Sequence, residues 1–398
     1  MLGWELPPHH SGGLGVACYE MCKEISATGV DIEFVLPYTA DFNIDFMDVL
    51  PAHPQSPEEV RMAGGVYDPK YFMKPNVTIL DEKLDLRFQH NLFASNVARL
   101  VESREFDIIH AHDWLTFRAG LMAKRVTGKP LIAHVHATQY DQSGGGYGNP
   151  EAREIEHSAL AEADEVFAVS QYTKDILIRE YSIPADKIRI VHNSMKVPDT
   201  AADDHNVHRY LEIMKSQGYK VVVNIGRQTL QKGLTHLLEA AKKVVEKDPK
   251  VLFLIAGGGD QKDELIGLAA EYGISKNVII EGWVSGKKWR DSFKIGDVFI
   301  MPSVSEPFGL APLEAIGFGS PAIISKQSGV AEVLRNCLKV DFWDTDKIAD
   351  MILQVTQHDS LRNELWKNSY AEYMDMSWKG SAELMNGHYH SLKERACA

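Results

Sequence analysis

At 398 residues the chain is too long for one ordinary core, so two domains are expected. Apolar residues at 44 % and charged residues at 24 % suit a soluble globular enzyme, and a net charge of −13 argues against a nucleic-acid partner, which needs a basic surface. No run of about 18 apolar residues occurs and the first residues lack the basic, apolar and small-residue succession of a secretion signal, so the reading is a cytoplasmic protein without a membrane span.

Residues 2–5 read as the tail of a strand, and a few residues are expected to precede Met1. They run into Pro7-Pro8-His9-His10-Ser11-Gly12-Gly13-Leu14-Gly15, with a helix predicted over 16–27. A strand, a glycine-rich turn and a helix form the phosphate cradle of nucleotide-binding α/β units, although Gly-Gly also serves as a plain tight turn. Cys18 and Cys22 stand one helical turn apart and, with Cys337 and Cys397, make no disulfide framework; they read as small core residues. A second strand is predicted over 31–37, and residues 41–87 form a long stretch without periodicity, the kind of segment that is functional or mobile.

Residues 107–114 (Asp-Ile-Ile-His-Ala-His-Asp-Trp) make a strand with a polar end, followed by a helix to about 127 and a further strand over 131–135. His110 and His112 share one strand face, as do His134 and His136, which is metal-ligand spacing. A zinc or iron hydrolase is therefore a competing reading, although no carboxylate motif completes the shell. The loop 142–148 (Gln-Ser-Gly-Gly-Gly-Tyr-Gly) suits a lid or a plain connection. Helices over 151–163 and 172–181 alternate with strands over 165–170 and 187–192, and the polar stretch 196–219 is the predicted domain linker.

The alternation restarts with a strand over 220–225 that ends at Gly226-Arg227, and Lys232-Gly233 precede a helix over 234–245. Strands over 251–256, 278–281, 297–301 and 321–325 predict a second parallel sheet. Between the last two lies 303–319, a loop carrying Glu306 and Gly309 and a helix start with Pro312 and Glu314 in its first turn. Free amides there suit a phosphate, while the plainer account makes Glu314 a dipole complement and Glu306 a solvated acid. Residues 344–398 are helical in pattern, the last helix beginning at Ser377-Trp378.

The pair Glu306 and Glu314 resembles the Glu-x7-Glu signature of retaining glycosyltransferases with the two-domain GT-B fold, in particular sequence family 4, which includes glycogen-synthase-like enzymes. The resemblance runs through nearly the whole chain. It implies an α/β protein of two Rossmann-like, doubly wound parallel-sheet domains facing across a cleft. Residues 1–195 would form the acceptor-side domain, rejoined by a returning helix over 377–398, and residues 220–376 the nucleotide-sugar-binding domain. By the same resemblance Arg227 and Lys232 grip the donor diphosphate with the backbone around Phe308, Gly309 and Leu310, and Glu314 takes the ribose hydroxyls. Glu306 holds the sugar and supports its cationic transition state; the side chain and carbonyl of His136 face that sugar. Gly12 and Gly13 close over the donor phosphates, Asp113 shapes the acceptor side, and acceptor contacts lie within 41–87. One departure stands out: His10 occupies the place of a lysine usual in bacterial glycogen and starch synthases, so the charge of this loop varies with pH.

No Asp-x-Asp motif follows a strand, so the two cations are expected to neutralise the leaving diphosphate without a divalent metal or other cofactor. The reading is a retaining hexosyltransferase that moves glucose from ADP- or UDP-glucose to an α-glucan. The alternatives are a family-4 transferase with another acceptor, a surface polysaccharide or a small metabolite, and a GT-B sugar-nucleotide epimerase or a non-catalytic binding subunit.

Overall fold

A computed structural model describes residues 1–9, 12–52, 86–195 and 205–397 of the chain. His10, residues 53–85 of the expected acceptor stretch and residues 196–204 of the expected linker lie outside them. The chain forms two compact units: Met1–Tyr140, Tyr147–Ser194 and Ser377–Ala398 make the first, and Asp141–Gly146 with Met195–Met376 make the second.

The first unit is built on a wholly parallel sheet. Its strands are β1 (Glu33–Leu36), β2 (Asp48–Pro51), β3 (Ile109–His112), β4 (Leu131–Val135), β5 (Glu165–Ala168) and β6 (Ile188–Ile190). The first residues of the chain fill the place between β1 and β3: Leu2 donates its amide to His110 and accepts from His112, while the Val35 amide donates to Met1 and Gly3 donates to Val35. The last helix, Trp378–Cys397, returns to this unit and packs on helix Gly13–Ser26, with Ser381 Oγ donating to the His192 carbonyl at 2.9 Å. Two elements here were not foreseen. Helix Leu86–Val101 packs on helix Trp114–Thr127, and β2 lies in a stretch read as irregular because four residues are too few to show a period.

The second unit holds β7 (Lys220–Ile225), β8 (Val251–Ala256), β9 (Val278–Glu281), β10 (Val298–Met301), β11 (Ala322–Ser325) and β12 (Leu338–Val340), all parallel, in the order β12-β11-β10-β7-β8-β9. Its central strands are continuous apolar runs, as sheets covered on both faces require; every residue of Val251–Ala256 is buried. Residues 205–219 are no free connection: helix Arg209–Ser216 packs on β7, buries Leu211 and sets Lys215 Nζ 3.2 Å from Asp297. The chain reverses its direction of travel across the sheet between β7 and β10, which is the switch point where α/β sheets bind ligands beyond their strand ends. Backbone pairing of these two strands stops at Val223 and Phe299, and the next residue, Asn224, spans the gap by donating its side-chain amide to the Ile300 carbonyl at 2.8 Å.

Gly233 fixes the start of helix Leu234–Lys247 from the left-handed region, φ +63°, and a Cβ there would lie 2.1 Å from the Pro302 carbonyl oxygen. The left-handed backbone alone costs an alanine about 1–3 kcal/mol, and the clash adds to it. Gly233→Ala should lower the urea midpoint accordingly, whereas Gly267→Ala, in a helix with open space around it, should leave the midpoint unchanged or raised.

Candidate active site

In the second unit the loops after β7 and β10 meet through one buried side chain, Gln231. Its Oε1 accepts from Arg227 Nη2 at 2.8 Å, its Nε2 donates to the Ser305 carbonyl at 2.9 Å, and its own carbonyl accepts the Val304 amide. The 3-10 turn Leu230–Lys232 then delivers Lys232, whose ammonium lies 2.5 Å from Glu306 Oε2. Ser303 Oγ donates to the same oxygen at 2.9 Å, and Ser305 Oγ donates to buried Asp141 at 2.6 Å. Lys232 thus faces Glu306, a carboxylate only 7 % exposed, at the switch point, and Arg227 is tied to the same loops through Gln231.

Backbone contacts hold this loop rigidly. The Glu306 amide donates to Gln327 and its carbonyl accepts from Gly329, while Val330 donates to the Phe308 carbonyl. Gly309 has φ +99°, and a Cβ there would press on Met301 and on Glu306 Cγ. Phe308 itself is core, its ring buried, so only its backbone is offered to a ligand. Gly257 and Gly259 let the turn after β8 lie directly on Gly226–Gln228: a Cβ at Gly257 would sit 1.8 Å from the Gly226 oxygen. Glu314 follows on the short helix Ala311–Gly317 and keeps part of its surface open. Burial of its carboxyl pushes the pKa up to about 8.

The first unit departs further from expectation. The Gly12 amide donates to Glu5 Oε2 at 3.0 Å and the Gly15 amide to Glu5 Oε1 at 3.2 Å, so a buried carboxylate from the preceding strand already occupies the turn expected to cradle phosphate. Gly13, with open space around it, has no such neighbour. Asp113, expected on the acceptor side, is 2 % exposed; its Oδ1 accepts the amides of His136 and Ala137, and its φ of +58° turns the chain from β3 into helix Trp114–Thr127. It positions the His136 segment rather than facing solvent.

His110, His112, His134 and His136 form a two-by-two array on one face of β3 and β4. Ring centroids lie 4.4 Å apart for His110–His112 and 4.2 Å for His134–His136, and hydrogen bonds of 3.1 Å join His110 Nε2 to His134 Nδ1 and His112 Nδ1 to His136 Nε2. Burial, reinforced by the neighbouring imidazoles, holds the first three well below the usual histidine range, and burial alone takes His136 down to about 3. All four rings are neutral at pH 7. The His136 ring is turned onto its neighbours, its Nδ1 buried, so the side-chain contact with a sugar expected of it is not offered in this arrangement.

Sequence reasoning missed Gln231, Asn224, Glu5 and Asp141. Each is an ordinary polar residue that belongs to no motif in the chain.

Comparison with known proteins fits this geometry. The model of the family described as Glycosyltransferase Family 4 matches residues 11–196, and that of Glycosyl transferases group 1 matches residues 212–372. An uncharacterized glycosyltransferase of Methanocaldococcus jannaschii is 26 % identical over 395 residues, covering 96 % of this chain and 95 % of its relative. A glycogen synthase of Mycobacterium tuberculosis is 24 % identical over 345 residues, covering 84 % and 80 %. The crystal structure of Anabaena HepE in complex with UDP-glucose superposes with a TM-score of 0.70 over 98 % of each chain at 16 % identity, which shows a shared fold. The chain has the GT-B fold and belongs to the group 1 glycosyltransferases.

Proposed function

We propose that the chain transfers glucose from UDP- or ADP-glucose to an α-glucan, with retention of configuration and without a divalent metal at the diphosphate. The observation that carries this reading is the pairing of Lys232 with Glu306 at the switch point, with Arg227 held to the same loops by Gln231. A departing nucleoside diphosphate needs positive charge where its own charge develops, and a fixed guanidinium with an ammonium supplies it without reorganisation. Lys232 has three donors; Glu306 and a diphosphate can share them. Glu306 would then present its other oxygen to the sugar. Glu314, in the first turn of its helix, would accept from the ribose hydroxyls.

Two relationships support the choice of sugar and acceptor: a relative is named glycogen synthase, and a protein of the same fold was crystallised with UDP-glucose. Gly12 is not counted among the donor contacts, because its amide is given to Glu5. The His136 backbone, fixed by Asp113, is counted.

Three measurements test this reading. Lys232→Ala removes a charge-assisted contact worth about 1.5–3 kcal/mol, roughly ten- to hundredfold in kcat/KM; Glu306→Ala should fall at least as far. Normal turnover in a folded Lys232→Ala protein would overturn the assignment. Nucleoside-diphosphate release from ADP-, UDP- and GDP-sugars, with and without glycogen or maltooligosaccharides and in EDTA, should be glucose-specific, stimulated by glucan and indifferent to chelator. Release indifferent to glucan would redirect the acceptor to a small metabolite or another polysaccharide, and nucleotide-sugar isomerisation without release would mean an epimerase.

Glu314 generates a stability prediction. Its pKa of about 8 in the folded chain lies above the ordinary 4.5, so between those values the native state binds more protons than the unfolded one and stability falls as pH rises. Glu314→Gln keeps the shape of the neutral acid and should flatten that decline between about pH 4.5 and pH 8. Urea midpoints with the same pH slope in both proteins would show that the carboxyl ionises normally.

A further inference from the structure

The imidazole array of the first unit carries more unmet bonding capacity than a packed core tolerates. Among the described residues, five of its eight ring nitrogens have partners, counting His110 Nδ1 against Tyr389 Oη at 2.7 Å, and His112 Nε2, His134 Nε2 and His136 Nδ1 are buried with none. Against the array lies helix Gly13–Ser26, whose buried face presents Cys18 as a free thiol. One ligand atom from each of Cys18, His112 and His136 lies within 4.8 Å of the other two. We propose that Cys18, His112 and His136 form a binding site for a late first-row divalent cation of the zinc class.

The donor set fits that class. A thiolate and two imidazoles are soft to borderline ligands that select zinc, cobalt or copper over magnesium or calcium. Two nitrogens bound at about 2.0–2.1 Å to one tetrahedral ion stand about 3.3 Å apart; His112 Nδ1 and His136 Nε2 already face each other at 3.1 Å. Bringing the sulfur in asks for a contraction of about an ångström, within side-chain rotation. His112 and Cys18 are fully enclosed, whereas His136 is partly exposed and gives the side from which an ion enters. A second trio, His110, His112 and His134, has comparable spacing but lacks the thiol, and both ring nitrogens of His110 are already bonded.

The protons balance simply. The Cys18 thiol, kept protonated by burial, gives its proton to solvent as the sulfur–metal bond forms. The single proton shared between His112 and His136 moves to the other nitrogen of its own ring, which has no partner among the described residues, so one proton is released per cation. The site lies wholly in the first unit, while the cations proposed for the diphosphate lie in the second, and its occupancy is measurable without any sugar donor.

Titration of the full chain with Co(II), followed by absorbance, tests the proposal. The expected result is one cobalt per chain with a thiolate-to-cobalt charge-transfer band, displaced by Zn(II). Cys18→Ser should lose the band and weaken binding by about a hundredfold or more, since even outer-shell partners of a bound metal cost 10- to 100-fold. Cys22→Ser, one turn along the same buried face, should bind as the unaltered chain does. Calorimetry of the unaltered chain in buffers of differing ionisation enthalpy should give one proton released per cation, a readout that needs no variant to fold. Absence of stoichiometric binding, a cobalt complex without the thiolate band, or equal binding by Cys18→Ser would each overturn it.

Discussion

Lys232 and Glu306 face each other as opposite charges at 2.5 Å, mostly out of water, and the architecture of the second unit converges on keeping them there. An ion pair so placed is a poor source of stability: the desolvation of both ions offsets most of their attraction, and an apolar pair of the same volume does as well. What the pair supplies is a fixed charge pattern beyond the ends of the two central strands. Gln231 aims Arg227 and grips the Ser305 carbonyl, Ser303 shares the carboxylate, and Asp141 anchors Ser305. Removing any of these leaves a buried polar group unpaired, at about 1–3 kcal/mol, so the network holds as a unit.

The backbone makes room for that network by close approach. At Gly233 and Gly257 a single methyl group would collide with a carbonyl oxygen at 2.1 and 1.8 Å, so the turns after β7, β8 and β10 stack main chain on main chain. Asn224 contributes from the other direction: by taking over the Ile300 carbonyl it ends the pairing of β7 and β10 while leaving no acceptor unmet. The polar chemistry therefore sits where two parallel strands stop bonding to each other.

Much of this was legible in the chain because parallel strands buried on both faces read as apolar runs. Val251–Ala256, Val298–Met301 and Leu131–Val135 lie where the pattern put them, and so do Arg227, Lys232 and Glu306 just past strand ends. The partners of those residues were not legible. Pairing of Glu5 with the amides of Gly12 and Gly15, or of Asp113 with that of His136, depends on where a short side chain points in three dimensions, and a carboxylate near a glycine-rich turn looks the same whether it serves the turn or a ligand. The positive φ of Asp113 carries no mark in sequence either, since aspartate is one of several residues that accept it.

The imidazole array and the Lys232–Glu306 pair treat their polar groups in opposite ways. In the second, charge is retained and balanced: an ammonium beside a carboxylate, a guanidinium on an amide oxygen. In the first, burial strips the charge away, leaving four neutral imidazoles and a protonated thiol in an enclosure where cationic rings would repel one another. Neutrality removes the repulsion but not the bonding deficit. A neutral imidazole still has one donor and one acceptor, and each unmet nitrogen costs about 1–3 kcal/mol, so three of them outweigh the two hydrogen bonds within the array at about 1 kcal/mol each. Packing of helix Gly13–Ser26 and the returning helix Trp378–Cys397 against this face holds the arrangement in place, and the uncommitted nitrogens and sulfur are the same atoms that a soft cation would draw together.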